Sequence, residues 1–260
     1  MPGPARTTDA ARIRGDLSLD GRRALVTGAG RGIGRATALT LAAHGAAVAV
    51  NDLDPGAADD VASEISALGG TALAAPCSVA DHGAVRDAVD EVQHRLGPID
   101  ILVSNAGIAA SGRTLRSTPM AEVDEQFSVH VLGALALCQA VIPTMRAEGG
   151  GDIVVISSTA VRDLPPNSGA YTMAKSALEA LAFTMAKEEA RHGIRVNVVA
   201  PGFTNTDLGR LVHGRLVRAR LVSPDERSVH LAPPEIVANA VLGCVGHDDP
   251  DHTGRRHATG

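Results

Sequence analysis

The sequence is poor in aromatic residues, in cysteines and in long apolar runs. Among its 260 residues it has no tryptophan, one tyrosine and three phenylalanines. Its three cysteines, Cys77, Cys138 and Cys244, form no C-x-x-C pair, which argues against a disulfide framework and a zinc site and fits a cytoplasmic location. The longest uncharged apolar stretch, residues 131–145, is shorter than the roughly 20 residues that span a bilayer. We therefore expect no membrane span.

The charge pattern excludes further classes of partner. The formal net charge is -5, and lysines and arginines are scattered rather than gathered into one basic block, so we expect no nucleic-acid partner. Residues 1–18 lack the apolar core of a secretory signal and are predicted to be a disordered extension, with a transit peptide as the alternative. Near the C-terminus, a polar group of side chains could ligate a metal: His247, Asp248, Asp249, Asp251 and His252. A surface turn is the favoured interpretation, and we expect no metal.

From Arg23 onward, short apolar runs alternate with segments of helical periodicity. Strands are predicted at 24–27, 46–52, 71–76, 99–104, 152–156 and 195–200, and helices at 32–44, 56–68, 81–96, 120–147, 171–192 and 234–244. Because most strand candidates are continuous apolar runs, helices should cover both faces of a parallel sheet. We predict one α/β domain over 19–260, a Rossmann-like doubly wound parallel sheet in three αβα layers. Residues 203–233 show no clear periodicity, and their length indicates a substrate lid.

A glycine-rich turn follows the first predicted strand and opens a helix. It reads Thr27-Gly28-Ala29-Gly30-Arg31-Gly32-Ile33-Gly34. In this context glycines let the backbone approach a pyrophosphate, which the helix N-terminus attracts. Asp52 ends the next strand, where a carboxylate can accept hydrogen bonds from ribose hydroxyls and repel a 2′-phosphate. NAD is therefore favoured over NADP, although Arg31 could reach a 2′-phosphate. The alternative for Asp52 is a helix cap.

Candidate catalytic residues follow the fifth predicted strand. Ser157 and Ser158 come first, and then Tyr171 and Lys175, whose i, i+4 spacing places them on one helix face. Lowering the pKa of a phenol from about 10 to about 7.5 requires about 3.4 kcal/mol. An ammonium about 5 Å away, at an effective dielectric near 20, contributes about 3.3 kcal/mol. Lys175 alone is therefore expected to bring the pKa of Tyr171 into the physiological range.

Taken together and in order, these motifs resemble the short-chain dehydrogenase/reductase family over about residues 20–254. The chain also has the family's Asn105-Ala106-Gly107 and Pro201-Gly202 motifs. The resemblance implies hydride transfer between NAD(H) and a carbonyl or secondary alcohol, with Tyr171 as general acid/base. It implies that Lys175 also binds the nicotinamide ribose, and that Ser158 rather than Ser157 bonds the substrate oxygen. Further cofactor contacts are implied at Ser78, Val79, Pro201, Gly202, Thr204 and Thr206.

The chain departs from the family pattern at three places. Ser78 replaces an acid that contacts adenine, and the tail at 255–260 does not read as the family's last apolar strand, which puts a seventh strand in doubt. His130 replaces a catalytic asparagine that stabilises a distortion in the fourth helix. We expect His130 either to take that residue's place in a hydrogen-bond relay or merely to pack between helices. As a relay imidazole with a pKa of about 6.5, it would make turnover sensitive to acid.

The substrate and the assembly are less constrained. The lid arginines could meet an anionic substrate, although a solvated helix face is favoured; they are Arg210, Arg215, Arg218, Arg220 and Arg227. Residues 131–137 are apolar on more faces than one sheet contact covers, so a homodimer or homotetramer is expected. The rival function is an NAD(H)-binding regulatory or scaffold protein with a decayed active site.

Overall fold

The computed structural model describes residues 17–218, 231–245 and 251–259. Within them, seven parallel strands form one sheet in the order β3-β2-β1-β4-β5-β6-β7. They are β1 Arg23–Thr27, β2 Ala47–Asn51, β3 Ala72–Ala74, β4 Ile101–Ser104, β5 Gly151–Ile156, β6 Ile194–Pro201 and β7 Arg256–Thr259. Because the strand order reverses between β1 and β4, the carboxyl ends of these two strands border a crevice.

Helices cover both faces of the sheet. The described helices are α1 Gly32–Ala43, α2 Pro55–Ala67, α3 His82–Leu96, α4 Met120–Phe127, α5 Gly133–Ala147, α6 Ala160–Asp163, α7 Gly169–Glu189, α8 Asp207–Arg218 and α9 Pro234–Val245. Helices α3, α5 and α7 pack on one face of the sheet, and α1, α2 and α9 pack on the other. The fold is therefore the three-layer Rossmann-like sheet that the sequence predicts.

Alternation along each strand builds the two cores. In β1, Leu25 packs in the core with α3, α5 and α7, whereas Ala24 and Val26 pack in the core with α1, α2 and α9. Successive strand residues point to opposite faces, and both faces here are covered. The strand therefore reads as an uninterrupted apolar run, which is the pattern that predicted it.

Two expectations about the C-terminal third of the chain are wrong. The tail does form a strand, β7, which pairs with residues 198–201 of β6. The tail lacks a run of apolar side chains, but a strand at a sheet edge forms where a neighbouring strand offers free backbone N–H and C=O groups. The lid is not aperiodic throughout, since α8 occupies its first half. Residues 219–230 of the lid and residues 1–16 of the N-terminal extension lie outside the described residues.

The helix predicted over 120–147 is interrupted by a π-helical turn, Ser128–Leu132, between α4 and α5. In the part of the chain that the structure describes, this run, Met120–Ala147, is the one helix long and apolar enough to cross a membrane, with mean hydropathy 1.6. Its second half, α5, packs against α3, β4 and β5. Much of its apolar surface therefore belongs to the core.

Candidate active site

The glycine turn and the Asn-Ala-Gly motif meet at the crevice between β1 and β4. The Asn105 side-chain amide donates to the carbonyls of Thr27 at 2.8 Å and Gly28 at 3.1 Å. The Thr27 hydroxyl in turn accepts the backbone N–H groups of Asn105 and Ala106. Gly28 has a φ of +60°, and a Cβ there would lie 2.9 Å from the Cα of Ala106. The motif after β4 therefore fixes the shape of the turn after β1, and the turn requires glycine.

The first turn of α1 opens onto the same crevice. Its N-cap residue, Arg31, is exposed and provides no side-chain cap to the helix N–H groups. A Cβ on Gly32 would lie 3.1 Å from Cγ2 of Thr206, which follows Pro201-Gly202 in the loop after β6. The structure therefore brings the loop after β6 against the glycine turn, although the two are far apart in the sequence.

Asp52 lies beside the glycine turn. It follows β2 directly, it is buried, and its Oδ2 accepts the backbone N–H of Gly30 at 2.9 Å. The cap of α2 is instead Asp54, which accepts the N–H groups of Gly56 and Ala57. The interpretation of Asp52 as a helix cap is therefore wrong, and its carboxylate borders the crevice.

Two further predicted contacts, Ser78 and Val79, follow β3 at the same edge of the sheet. The Ser78 hydroxyl accepts the N–H of Ala80 at 3.3 Å. Val79 is buried, and a Cβ on Gly133 would lie 2.8 Å from the Val79 carbonyl. This loop is therefore held closely against the start of α5.

The three catalytic candidates converge at the carboxyl end of β5. Tyr171 lies in the first turn of α7, and the hydroxyl of Ser158, which accepts the N–H of Ala160 at 3.1 Å, lies close enough to the phenol to affect its pKa. Lys175 lies one turn further along and is buried, with its Nζ 5.8 Å from the centre of the Tyr171 ring. That Nζ donates to the carbonyl of Ile156 at 2.6 Å. The strand end and the helix start thus bring together the residues that the sequence singled out.

The neighbouring serine has a different partner. The Ser157 hydroxyl donates to Oε1 of Glu179 at 2.6 Å, and both residues are buried. Arg256 in β7 binds the same carboxylate oxygen at 3.0 Å and donates to the Ser158 carbonyl at 3.2 Å. Sequence reasoning missed Glu179 and Arg256. The i, i+4 spacing of Lys175 and Glu179 on α7 could have indicated the first, but no local pattern indicates the second.

Burial opposes the charged states expected from the sequence. Burial raises the pKa of the Tyr171 phenol, while the neighbouring Ser158 hydroxyl acts in the opposite direction. Burial also lowers the pKa of Lys175 to about 7, against the opposing effect of the Glu179 carboxylate. The expectation that Lys175 alone lowers the pKa of Tyr171 is therefore wrong for this structure, because the sequence argument left out desolvation, which disfavours both charged forms.

The family can now be assigned from comparison with known proteins. Residues 22–214 match the profile of the short chain dehydrogenase family, which is well over half of the chain. The chain belongs to the short chain dehydrogenase family. It is an oxidoreductase with the Rossmann nucleotide-binding fold of that family, and the resemblance drawn from the motifs is confirmed.

Similar members of the family differ in the substrates that they are named for. The 7α-hydroxysteroid dehydrogenase of Escherichia coli is 36% identical over 229 residues, covering 87% of this chain and 88% of the relative. A solved structure of a 7α-hydroxysteroid dehydrogenase with NADH and 7-oxo glycochenodeoxycholic acid has a TM-score of 0.83 at 33% identity, covering 94% of each chain. A gluconate 5-dehydrogenase from Burkholderia cenocepacia with NADP and tartrate has a TM-score of 0.83 at 32% identity, covering 94% of this chain and 95% of the other.

His130 lies between the Asn-Ala-Gly motif and the candidate phenol. It is buried in the π-helical turn, and its ring centre lies 5.4 Å from that of Tyr171 in an edge-to-face arrangement. Its Nε2 is 3.1 Å from the carbonyl oxygen of Ile108, and a Cβ on Gly107 would lie 2.5 Å from its Cε1. Its Nδ1 is buried and has no hydrogen-bond partner among the described residues. The position suits both packing and a relay, and the relay role stays a prediction.

The acid sensitivity expected of His130 must be corrected. Burial, reinforced by the charge of Lys175, lowers the pKa of His130 well below 6.5. The imidazole therefore remains neutral where a free histidine would titrate. In the unfolded chain a histidine binds its proton at about pH 6.5, so the unfolded state gains a proton there that the folded state does not. Stability is consequently lost as the pH falls below that value.

We predict that the melting temperature of His130→Asn falls less than that of the wild type between about pH 7.5 and about pH 5, because the asparagine does not titrate. The shape of kcat against pH from about 6 to 8 should not change. His130→Ala should lose about tenfold in kcat if the ring takes part in the relay. His82→Asn, at an exposed histidine that begins α3, is the matched control. Identical pH dependence of melting in the wild type and His130→Asn would contradict the prediction.

The described part of the lid docks on the loop after β4. Arg215 of α8 donates to the carbonyl of Ala110 and lines a cleft of about 370 Å³ beside α4. Arg210 pairs with Asp207 at 2.6 Å. Within the described residues, these two lid arginines thus bond to the chain itself. The side chains of Arg218, Arg220 and Arg227 lie outside the described residues.

Proposed function

We propose that this protein transfers a hydride between NAD(H) and a carbonyl or secondary alcohol substrate. The observation that carries the proposal is that the Ser158 hydroxyl lies beside the Tyr171 phenol, with the buried Lys175 behind them. Two neighbouring hydroxyl groups can both reach one substrate oxygen, where charge develops in the transition state. The dehydrogenases among its relatives support the reaction class.

The residues around the crevice fit a dinucleotide. The start of α1 has no side-chain cap, so its N–H groups suit a pyrophosphate. A Cβ on Gly30 would lie 2.6 Å from the Cβ of Ala57 and 2.9 Å from the Asp52 carboxylate. A side chain at this position of the turn would therefore clash with both residues. Asp52 would accept the ribose hydroxyls of the adenosine. Further contacts would come from Ser78, Val79, Asn105, Ala106, Gly107, Pro201, Gly202, Thr204 and Thr206. When bound, the nicotinamide supplies or accepts the hydride.

The proton is handled by Tyr171. In the reducing direction the carbonyl carbon gains the hydride, and the carbonyl oxygen gains the phenol proton while Ser158 donates a hydrogen bond to it. In the oxidising direction the proton returns to the phenol. A raised pKa keeps the phenol protonated, which suits the acid role. Lys175, when charged, would stabilise the phenolate that remains and would also bind the nicotinamide ribose.

One solved relative holds NADH and another holds NADP, so membership of the family does not decide the cofactor. In this chain the choice would depend on Asp52 and Arg31. We predict that Asp52→Ala lowers the ratio of kcat/KM for NADH over NADPH by about tenfold, since a repulsive carboxylate is removed. Asp54→Ala is the matched control, because it removes the neighbouring carboxylate that caps α2 and should leave the ratio unchanged. A wild type that prefers NADPH would refute the assignment and make Arg31 the dominant residue.

A panel of ketones and secondary alcohols, followed at the nicotinamide absorbance, tests the proposed function. Turnover that requires NAD(H) or NADP(H) supports a dehydrogenase and begins to define the substrate. Binding of NADH without turnover across a broad panel would overturn the proposal and favour the rival, a regulatory or scaffold protein with a decayed active site.

Assembly into a homodimer or homotetramer stays a prediction. Leu132 is 44% exposed and Met120 is 70% exposed, whereas Ala134 and Leu137 are buried within their own chain. The apolar surface left for a partner is therefore smaller than the sequence suggests. Light scattering at micromolar concentration tests the prediction, and a monomer would refute it.

A further inference from the structure

A cluster of metal-binding side chains lies near the C-terminus, apart from the proposed catalytic residues. It consists of Cys244 in the last turn of α9, His252 in the segment before β7 and His257 in β7. Their ligand atoms, one sulfur and two imidazole nitrogens, all lie within 4.8 Å of one another. Cys244 is 1% exposed and His252 is 8% exposed. Three neighbouring segments of the chain therefore place three soft or borderline ligands in one largely buried space.

Contrary to the expectation of no zinc site, which rested on the spacing of the cysteines, we propose that Cys244, His252 and His257 bind one zinc ion that fastens the C-terminal tail to α9. Cysteine and histidine are the usual zinc ligands of proteins. With bonds of about 2.3 Å to sulfur and about 2.0 Å to nitrogen, a tetrahedral zinc keeps its ligand atoms roughly 3.5 Å apart. Small side-chain rotations would bring the ligand atoms from within 4.8 Å of one another to that distance. The two imidazole rings are nearly parallel, with centres 5.6 Å apart and an interplanar angle of 24°. A water would complete the four ligands.

Cys244 is a buried thiol that lies near the Asp152 carboxylate. Burial, together with the nearby Asp152 carboxylate, raises the pKa of the Cys244 thiol to about 12. Asp152 itself is bound by Arg22 and Arg195, so it does not compete as a ligand.

The ion would hold a strand that positions other parts of the protein. In β7, Arg256 binds the Glu179 carboxylate, and the carbonyl of Thr259 accepts the N–H of Gly202 at 2.8 Å. His257 lies between these two contacts in the same strand. Because β7 is short, lies at the sheet edge and lacks a run of apolar side chains, it gains little from burial. A metal bond would supply the attachment that an apolar strand obtains from packing.

Zinc binding by the full-length protein tests the proposal directly. Protein treated with a chelator and dialysed would be titrated with Zn²⁺, and bound metal would be measured by mass spectrometry. We expect about one zinc per chain in the wild type, and at least about tenfold weaker binding in Cys244→Ala and His257→Gln. Cys138→Ala, which removes a buried thiol of α5, is the matched control and should bind like the wild type. Co²⁺ should give a thiolate charge-transfer band that disappears in Cys244→Ala.

A melting experiment separates lost ligands from a damaged core. Each variant would be melted with chelator and with added zinc, so that its own metal-free state is the reference. Zinc should raise the melting temperature of the wild type and Cys138→Ala, because a ligand that binds the folded state stabilises it. It should not raise that of Cys244→Ala or His257→Gln. An equal rise in all four proteins, or a wild type that binds no zinc, would overturn the proposal.

Discussion

Replacing Tyr171 with phenylalanine is expected to lower kcat by about 10²- to 10⁴-fold while NADH binding survives, since general acid/base catalysis contributes on that scale. The substitution removes the phenol oxygen and keeps the ring, so the edge-to-face contact with His130 is retained. The oxygen is the proton-bearing atom, and Ser158 can donate a hydrogen bond but does not take its place as the acid. The loss should therefore appear in turnover rather than in cofactor affinity.

Steady-state kinetics and an NADH fluorescence titration separate these two effects. Met173→Leu is a suitable control, because Met173 is 42% exposed on the same turn of α7 and should keep wild-type turnover. Comparing melting temperatures checks that the phenylalanine variant is folded. If Tyr171→Phe kept more than about a tenth of the wild-type kcat, Tyr171 would not be the acid/base.

Most of the sheet could be predicted because its strands are buried on both faces. Val26 of β1 and Val103 of β4 belong to one core, while Leu25 and Leu102 belong to the other, so each strand is an unbroken apolar run. The glycine turn could be predicted for a related reason, since Gly28 needs a φ that other residues rarely adopt. Where the conformation of a segment is determined by its own residues, the sequence pattern is sufficient to predict it.

The features that were missed depend on tertiary contacts. The seventh strand forms because β6 offers a free edge. Arg256 in that strand forms an ion pair with Glu179, which is remote from it in the sequence. The shift in the pKa of His130 depends on burial by segments that the motif does not include. The cap of α2 is Asp54 and not Asp52, for which a cap was the alternative interpretation, because the two carboxylates differ only in where the chain turns. None of these follows from spacing along the chain.

Ser158→Ala and Ser157→Ala should give opposite results, although the two serines are adjacent. Ser158 lies beside the Tyr171 phenol, so its loss removes a donor at the substrate oxygen and should lower kcat by about 10²- to 10³-fold. Ser157 instead donates to the buried carboxylate of Glu179 at 2.6 Å. Its loss leaves an acceptor short of one hydrogen bond and should cost about 1–3 kcal/mol of stability. Each variant is thus the control for the other.

The pair separates the two roles because kcat and the free energy of unfolding are measured on the same two proteins. Arg256 still pairs with Glu179 in Ser157→Ala, so that variant should fold and keep kcat within about threefold of the wild type, since no donor at the substrate oxygen is lost. Ser158→Ala should melt close to the wild type, because Ser158 is only half-buried and water can replace its hydroxyl. If Ser157→Ala lost the turnover and Ser158→Ala only the stability, the assignment of the substrate-binding hydroxyl would be reversed. Ser157 would then be the catalytic serine, and the Glu179 carboxylate that accepts its hydrogen bond would influence the reaction directly.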